Sequence, residues 1–221
     1  MAPLPEPLLP LPAGRRQLSP DVIAEHQRER VLLAAVPVFA KRGYQGTTVD
    51  RIVAAAQIGV GSFYALFDGK EDCFLRAYDR IVAEARERIA AAIPPEAPWP
   101  EQACVALRAL LELVATEPLR ARVALVEAQT AGPEALARYE RTLDTFVPYL
   151  RRVRQASPLA SELPETLEEG ILGGVTWLLH QRLAMGETDA IEGLFPELLD
   201  IVIAPYLGEA EAARLAAALS S

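Results

Sequence analysis

Residues 47–74 read TTVDRIVAAAQIGVGSFYALFDGKEDCF, and this stretch decides the architecture. Val49, Ile52, Val53 and Ala56 recur at three- and four-residue steps, the buried stripe of a short helix. Thr47 is its expected N-cap, with Asp50 completing a capping box. Gln57-Ile58-Gly59 then makes a turn, and a third helix is expected from about Val60 to Phe67, with Phe63 and Phe67 in the core. Asp68-Gly69 breaks the chain again before a long helix from Lys70 to about Ile93. Two short helices joined by a tight turn behind a longer one are the parts of a helix-turn-helix.

The longer helix lies upstream. Val31, Leu32, Ala35, Phe39 and Ala40 mark one apolar face, and Lys41-Arg42-Gly43 supplies a basic last turn followed by a glycine for a left-handed exit. Pro37 removes the bond to the Leu33 carbonyl, which predicts a kink there. Residues 1–18 are rich in proline and leucine and read as a disordered arm, with Arg15 and Arg16 as candidates for a DNA groove.

Downstream, IPPEAPWP at 93–100 holds four prolines in eight residues and must be a loop. Amphipathic helices are expected at about 101–116, 118–131, 134–155, 165–186, 189–207 and 209–219, and no segment reads as a strand. The expected fold is therefore all-α. A three-helix DNA-binding domain at 19–69 is joined by a long helix to a helical effector-binding and dimerisation domain at 70–221.

The net charge of −8 is unusual for a DNA binder, but it is unevenly spread. Residues 1–70 carry eight Lys/Arg against six Asp/Glu, net +2, and the rest carry 14 against 24, net −10. No apolar run reaches the roughly 18 residues of a membrane span. Met1 to Pro12 lacks the basic-then-apolar order of a leader, so a cytoplasmic protein is expected, with no membrane partner. Cys73 and Cys104 have no metal-ligand spacing, and no metal or cofactor is expected. The two histidines, His26 and His180, lack a nucleophile or carboxylate partner in sequence, and no hydrolase or phosphate-binding motif occurs. We therefore expect no enzyme.

The stretch 47–74, with the preceding AKRGYQG, resembles the signature of the tetracycline-repressor (TetR) family of transcriptional regulators: paired Thr, an Ile/Val/Ala-rich helix, Gly-x-Phe-Tyr, an aromatic and Lys-Glu. The resemblance covers about 50 residues of the 221. It implies a repressor that binds a palindromic operator in double-stranded DNA as a homodimer and is released by a small effector. Helix three would enter the major groove, where Gly61 allows the backbone close to phosphates. Thr48, Tyr64 and Lys70 would position phosphates. Val60, Ser62 and Ala65 would face base edges. This chain departs from the pattern at Gln57, where the family usually has Gly, and at Gly59, Val60 and Ala65, which are commonly Ser, polar, and aromatic or His. The recognition helix is thus poor in hydrogen-bonding side chains, and readout would lean on methyl contacts, DNA shape and Arg28, Arg51 or the arm.

In the larger half, polar or aromatic residues beside apolar stripes are the effector candidates: Glu127, Gln129, Tyr139, Phe146, Trp177 and His180, around an apolar cavity for a small lipophilic ligand. The last two long helices supply the expected dimer interface, with Gly170, Gly174, Leu178, Leu194, Leu198 and Val202. The alternative is a helical small-molecule-binding protein with a degenerate DNA head.

Overall fold

The computed structural model describes residues 19–219; the expected arm, including Arg15 and Arg16, lies outside them. Every regular element among the described residues is a helix. Helix α1 (Pro20–Gly46) starts on Ser19, whose side chain accepts the Val22 amide at 3.3 Å. Its apolar stripe is buried as expected, with Val31, Ala35 and Phe39 inaccessible. Pro37 keeps helical dihedrals inside α1. The break falls instead at Gly43, with φ +73°, where the absence of Cβ lets the chain leave the helix.

That exit also moves the next cap. Thr47 is buried and donates its hydroxyl to the Gly43 carbonyl at 2.8 Å, so it closes α1. Thr48 takes over as the N-cap of α2 (Val49–Ala56), accepting from the Arg51 amide at 3.4 Å. The sequence expectation was one residue early because both neighbours carry the hydroxyl. Ile52, Val53 and Ala56 are buried. Helix α2 ends on Gln57 in the left-handed conformation, φ 54°, ψ 48°. Helix α3 (Val60–Tyr64) is shorter than expected, and Phe67 lies just past it, nearly inaccessible. Helix α4 (Lys70–Ala92) follows.

Seven further helices form the remainder: α5 (Trp99–Thr116), α6 (Pro118–Leu125), α7 (Pro133–Asp144), α8 (Val147–Gln155), α9 (Leu167–Met185), α10 (Phe195–Leu207) and α11 (Glu209–Leu219). Three expected helices are divided, and the segment 189–207 opens as two 3-10 turns, Thr188–Ala190 and Glu192–Leu194, before α10. The segment 118–131 gives way after Leu125 to a 3-10 turn at Glu127–Gln129. The segment 134–155 breaks at Thr145 and Phe146, because Pro148 cannot follow Asp144 in a continuous helix. No helix among the described residues is long and apolar enough to cross a membrane.

Two hydrophobic cores result. The first joins α1–α4, including Phe39, Ile52, Phe63, Phe74 and Tyr78, to Val123, Ala128, Ala135 and Tyr139. The rings of Phe39 and Tyr44 meet Phe74 edge-on at 5.0 and 5.1 Å. The second joins α5, α9, α10 and α11 through Leu111, Leu179, Leu198, Leu199, Ile203 and Tyr206. Helix α6 feeds both, Val123 to the first and Ala121 to the second. The head therefore rests on the bundle through a shared apolar core.

Candidate nucleic-acid interface

Helix α3 has one side that is buried and one that is not. Phe63 is fully buried and its ring lies 5.2 Å from that of Phe67. The flanking residues point the other way: Val60 is 45% exposed and Tyr64 56%, and Gly61, Ser62 and Ala65 are exposed. One aromatic anchor thus pins a five-residue helix and leaves its remaining surface unpartnered. Nothing lies within 4 Å of where a Cβ at Gly61 would stand. Tyr64 packs its ring edge against Phe63 at 5.5 Å.

Thr48 and Arg51 are also exposed. Arg51 donates to the Gly46 carbonyl, which holds its stem against the start of α2. Lys70 is placed differently. Its ammonium donates to the Tyr44 carbonyl at 3.0 Å and sits 4.1 Å from the centre of the Tyr44 ring. A freely extended cation at the start of α4 is not what the fold presents; Lys70 ties α4 to the end of α1. Tyr44 was absent from the sequence candidates, and its burial beside a lysine 26 residues away is a tertiary contact with no sequence signal. Arg28 pairs with Glu25 on its own helix and lines a cleft against α4.

The effector candidates do not all converge. Glu127 is 5% exposed and accepts the Tyr44 amide at 2.9 Å. Gln129 and His180 meet at 3.1 Å, and each also contacts the Leu125 carbonyl. Tyr139 is buried in the head-side core, and Phe146 is half-buried at the α7–α8 break. Trp177 is 59% exposed, which removes it from any interior pocket: its position on α9 faces away from the chain's own core. Two open clefts of about 370 Å3 lie away from most of these residues, one lined by Asp79, Arg86, Arg138, Arg141, Thr142 and Thr145, the other between α1 and α4.

The dimer candidates divide as well. Leu194, Leu198 and Val202 are buried in the chain's own second core, so their apolar spacing reports intrachain packing. Gly174 faces the Ile201 side chain, and Leu178 is half-buried against the same core. Gly170, Gly173, Trp177, Ala184 and Met185 are exposed along α9, which gives this helix an apolar, small-residue outer side.

Residues 31–77 match the family model described as "Bacterial regulatory proteins, tetR family". Over those residues the chain is TetR-like. The matched TetR segment runs from the apolar stripe of α1 to the first turns of α4, so it covers the exposed α3 and everything that pins it. Among known regulators, the uncharacterized HTH-type transcriptional regulator YhgD of Bacillus subtilis (strain 168) is 27% identical over 124 residues. That match covers 55% of this chain and 65% of YhgD, under two thirds of its length. Similarity in fold extends further. The fatty acid degradation regulator FadR from Bacillus halodurans superposes with a TM-score of 0.70 at 17% identity, covering 80% of this chain and 94% of that one. FadR from Bacillus subtilis, solved in complex with stearoyl-CoA, gives 0.64 at 19% identity, covering 79% and 97%. The arrangement of head and bundle is thus shared with these structures over about four fifths of this chain.

Proposed function

We propose that the chain is a transcriptional regulator, acting as a repressor, that binds a palindromic operator as a homodimer and releases it when a small lipophilic effector binds. The observation that carries this reading is the outward side of α3, with Val60 and Tyr64 half exposed around a fully buried Phe63. Val60 and Tyr64, one turn apart, share one exposed side of α3, and apolar residues grouped in this way, unlike scattered single ones, mark an interaction surface. On this reading Val60, Ser62 and Ala65 meet base edges, while Thr48, Arg51, Tyr64 and the Gly61 backbone meet phosphates. Lys70 acts from within, by holding Tyr44 and hence the end of α1.

The head is taken as residues 19–69 and the effector and dimer domain as 70–221, with the exposed side of α9 around Trp177 as the contact between protomers. Two heads must stand roughly 34–36 Å apart to meet successive major grooves. An effector that favours another spacing of α4 weakens DNA binding by its differential affinity for the two states. Because a FadR of this fold was solved with stearoyl-CoA, acyl thioesters are the first ligands to screen. The protein is taken to act in the cytoplasm.

The test is footprinting on the DNA that flanks the coding region, followed by titration of the protected duplex in rising salt. A regulator protects a two-fold symmetric site, and its log affinity falls with log salt by about 0.9 per phosphate neutralised. Absence of any protected site, with no salt-dependent duplex binding, rejects the reading and leaves a helical ligand-binding module.

A further inference from the structure

Where the head meets the bundle, one peptide unit is held from both sides. Tyr44 is the first residue past the Gly43 break, and its carbonyl accepts the Lys70 ammonium at 3.0 Å. Its amide donates at 2.9 Å to Glu127, which stands 83 residues away on the turn after α6. The other Glu127 oxygen lies 3.4 Å from Nε of Arg122. Arg122 in turn donates through its guanidinium to the Leu183 carbonyl, in the last turn of α9, at 2.9 Å. A polar chain therefore runs from the end of α1, through Glu127 and Arg122, to α9.

Burying a carboxylate costs free energy unless it is paired and hydrogen-bonded. Apolar packing surrounds Glu127, since Val123, Ala128 and Ala131 join the head-side core. A buried charge in such a seam adds direction, because a hydrogen bond has an angle and a length where apolar contact has neither. The Gly43 backbone closes the same geometry: a Cβ there would stand 3.3 Å from the Glu127 carboxylate, at a φ that disfavours side chains in any case.

We infer that Glu127 is a positioning residue that fixes the orientation of the DNA head on the bundle and links it to α9. The inference rests on the regulator reading above. In a dimer built on α9, the chain Leu183–Arg122–Glu127–Tyr44 sets the separation of the two α3 helices. Glu127 then governs how strictly the protein measures the distance between half-sites, with no contact to DNA itself.

Two measurements on the full-length protein test it. The first is amide hydrogen exchange at Tyr44 without DNA. Glu127→Ala removes a hydrogen bond to a charged acceptor, and exchange there is expected to speed by about tenfold or more relative to Phe39. Glu127→Gln, which retains an acceptor for the amide, restores most of the protection. Unchanged Tyr44 exchange in Glu127→Ala overturns the inference. The second uses the footprinted duplex and versions with the half-sites one base pair closer or farther. Wild type is expected to favour the native spacing by about tenfold, as one mismatched contact set would cost. Glu127→Ala should reduce that preference to about threefold or less. Arg122→Gln, which leaves the Tyr44 contact in place, should also relax it if the link to α9 matters. Preserved spacing selectivity in both variants, with melting temperatures near wild type, overturns the inference. If wild type binds no duplex, the regulator reading fails, while the exchange experiment still decides whether Glu127 orders the junction.

Discussion

Phe63 and Tyr64 are neighbours with opposite fates, and the difference between them carries most of the functional argument. Phe63 is fully buried, so Phe63→Ala should destabilise the protein by about 3–5 kcal/mol in urea unfolding. Tyr64→Ala removes an exposed ring and should leave stability within about 0.5 kcal/mol of wild type while weakening duplex binding. Arg51→Ala should weaken all duplexes alike and lower the salt slope by about one. A different residue sets the response to acid. The Arg154 guanidinium, hydrogen-bonded to Glu168 at 2.8 and 2.9 Å, holds the Glu168 carboxyl below the usual range against the opposing effect of its burial. A depressed carboxylate stabilises fully above its unfolded value, about 4.3, and the contribution is lost as pH falls through the folded value. Denaturation midpoints should thus fall more steeply below about pH 4 in wild type than in Glu168→Gln. Residue roles were readable from sequence where one side chain met one local need, as at Phe63 and Gly43. Lys70, Glu127 and Trp177 were not, because their partners or their exposure depend on chain segments far away in sequence.

At the scale of elements, apolar spacing located the head helices and most bundle helices, because a stripe at three- and four-residue steps has to be buried. It gave their ends less well. The cap of α2 slid from Thr47 to Thr48 because α1 needed a hydroxyl for its own last carbonyls. The division between α7 and α8 follows from Pro148, which removes a helical hydrogen bond inside the segment expected as one helix. The turn between α2 and α3 shows a cost. Gln57 is held at φ 54°, ψ 48°, a left-handed conformation that penalises side chains by roughly 1–2 kcal/mol. Gln57→Gly relieves that strain but gives back chain entropy on unfolding, and a net gain of about 0.5–1 kcal/mol is expected in thermal or urea unfolding. An unchanged or lower midpoint would mean that the Gln57 side chain earns its place by a contact of its own.

For the whole molecule, the head and bundle are joined by more than apolar contact. Glu29 of α1 pairs with Arg80 of α4 at 2.7 Å, Arg80 with Glu84 at 2.7 Å, and Glu84 with Arg120 of α6. Arg120 continues to Glu117 at 2.9 Å, and Glu117 to Arg88. These groups are partly exposed, and salt should loosen the ladder. The surface proposed for dimerisation is where the sequence was least informative. Leu194, Leu198 and Val202 have the spacing of an interface but are covered by their own chain, whereas the exposed side of α9 is glycine-rich and lacks a strong apolar signal. Trp177→Arg should therefore shift sedimentation toward monomer without lowering the monomer's helix content, and operator affinity should fall with it. The measurement that bears most directly on the account is duplex titration with Gly61→Gln. Open space surrounds Gly61 in the free protein, so the fold should tolerate the change and gain up to about 1 kcal/mol in helix propensity. If α3 enters the major groove, the added side chain holds the backbone off the phosphates, and affinity should drop by about a hundredfold or more at unchanged or raised melting temperature. Wild-type affinity in Gly61→Gln would contradict the account.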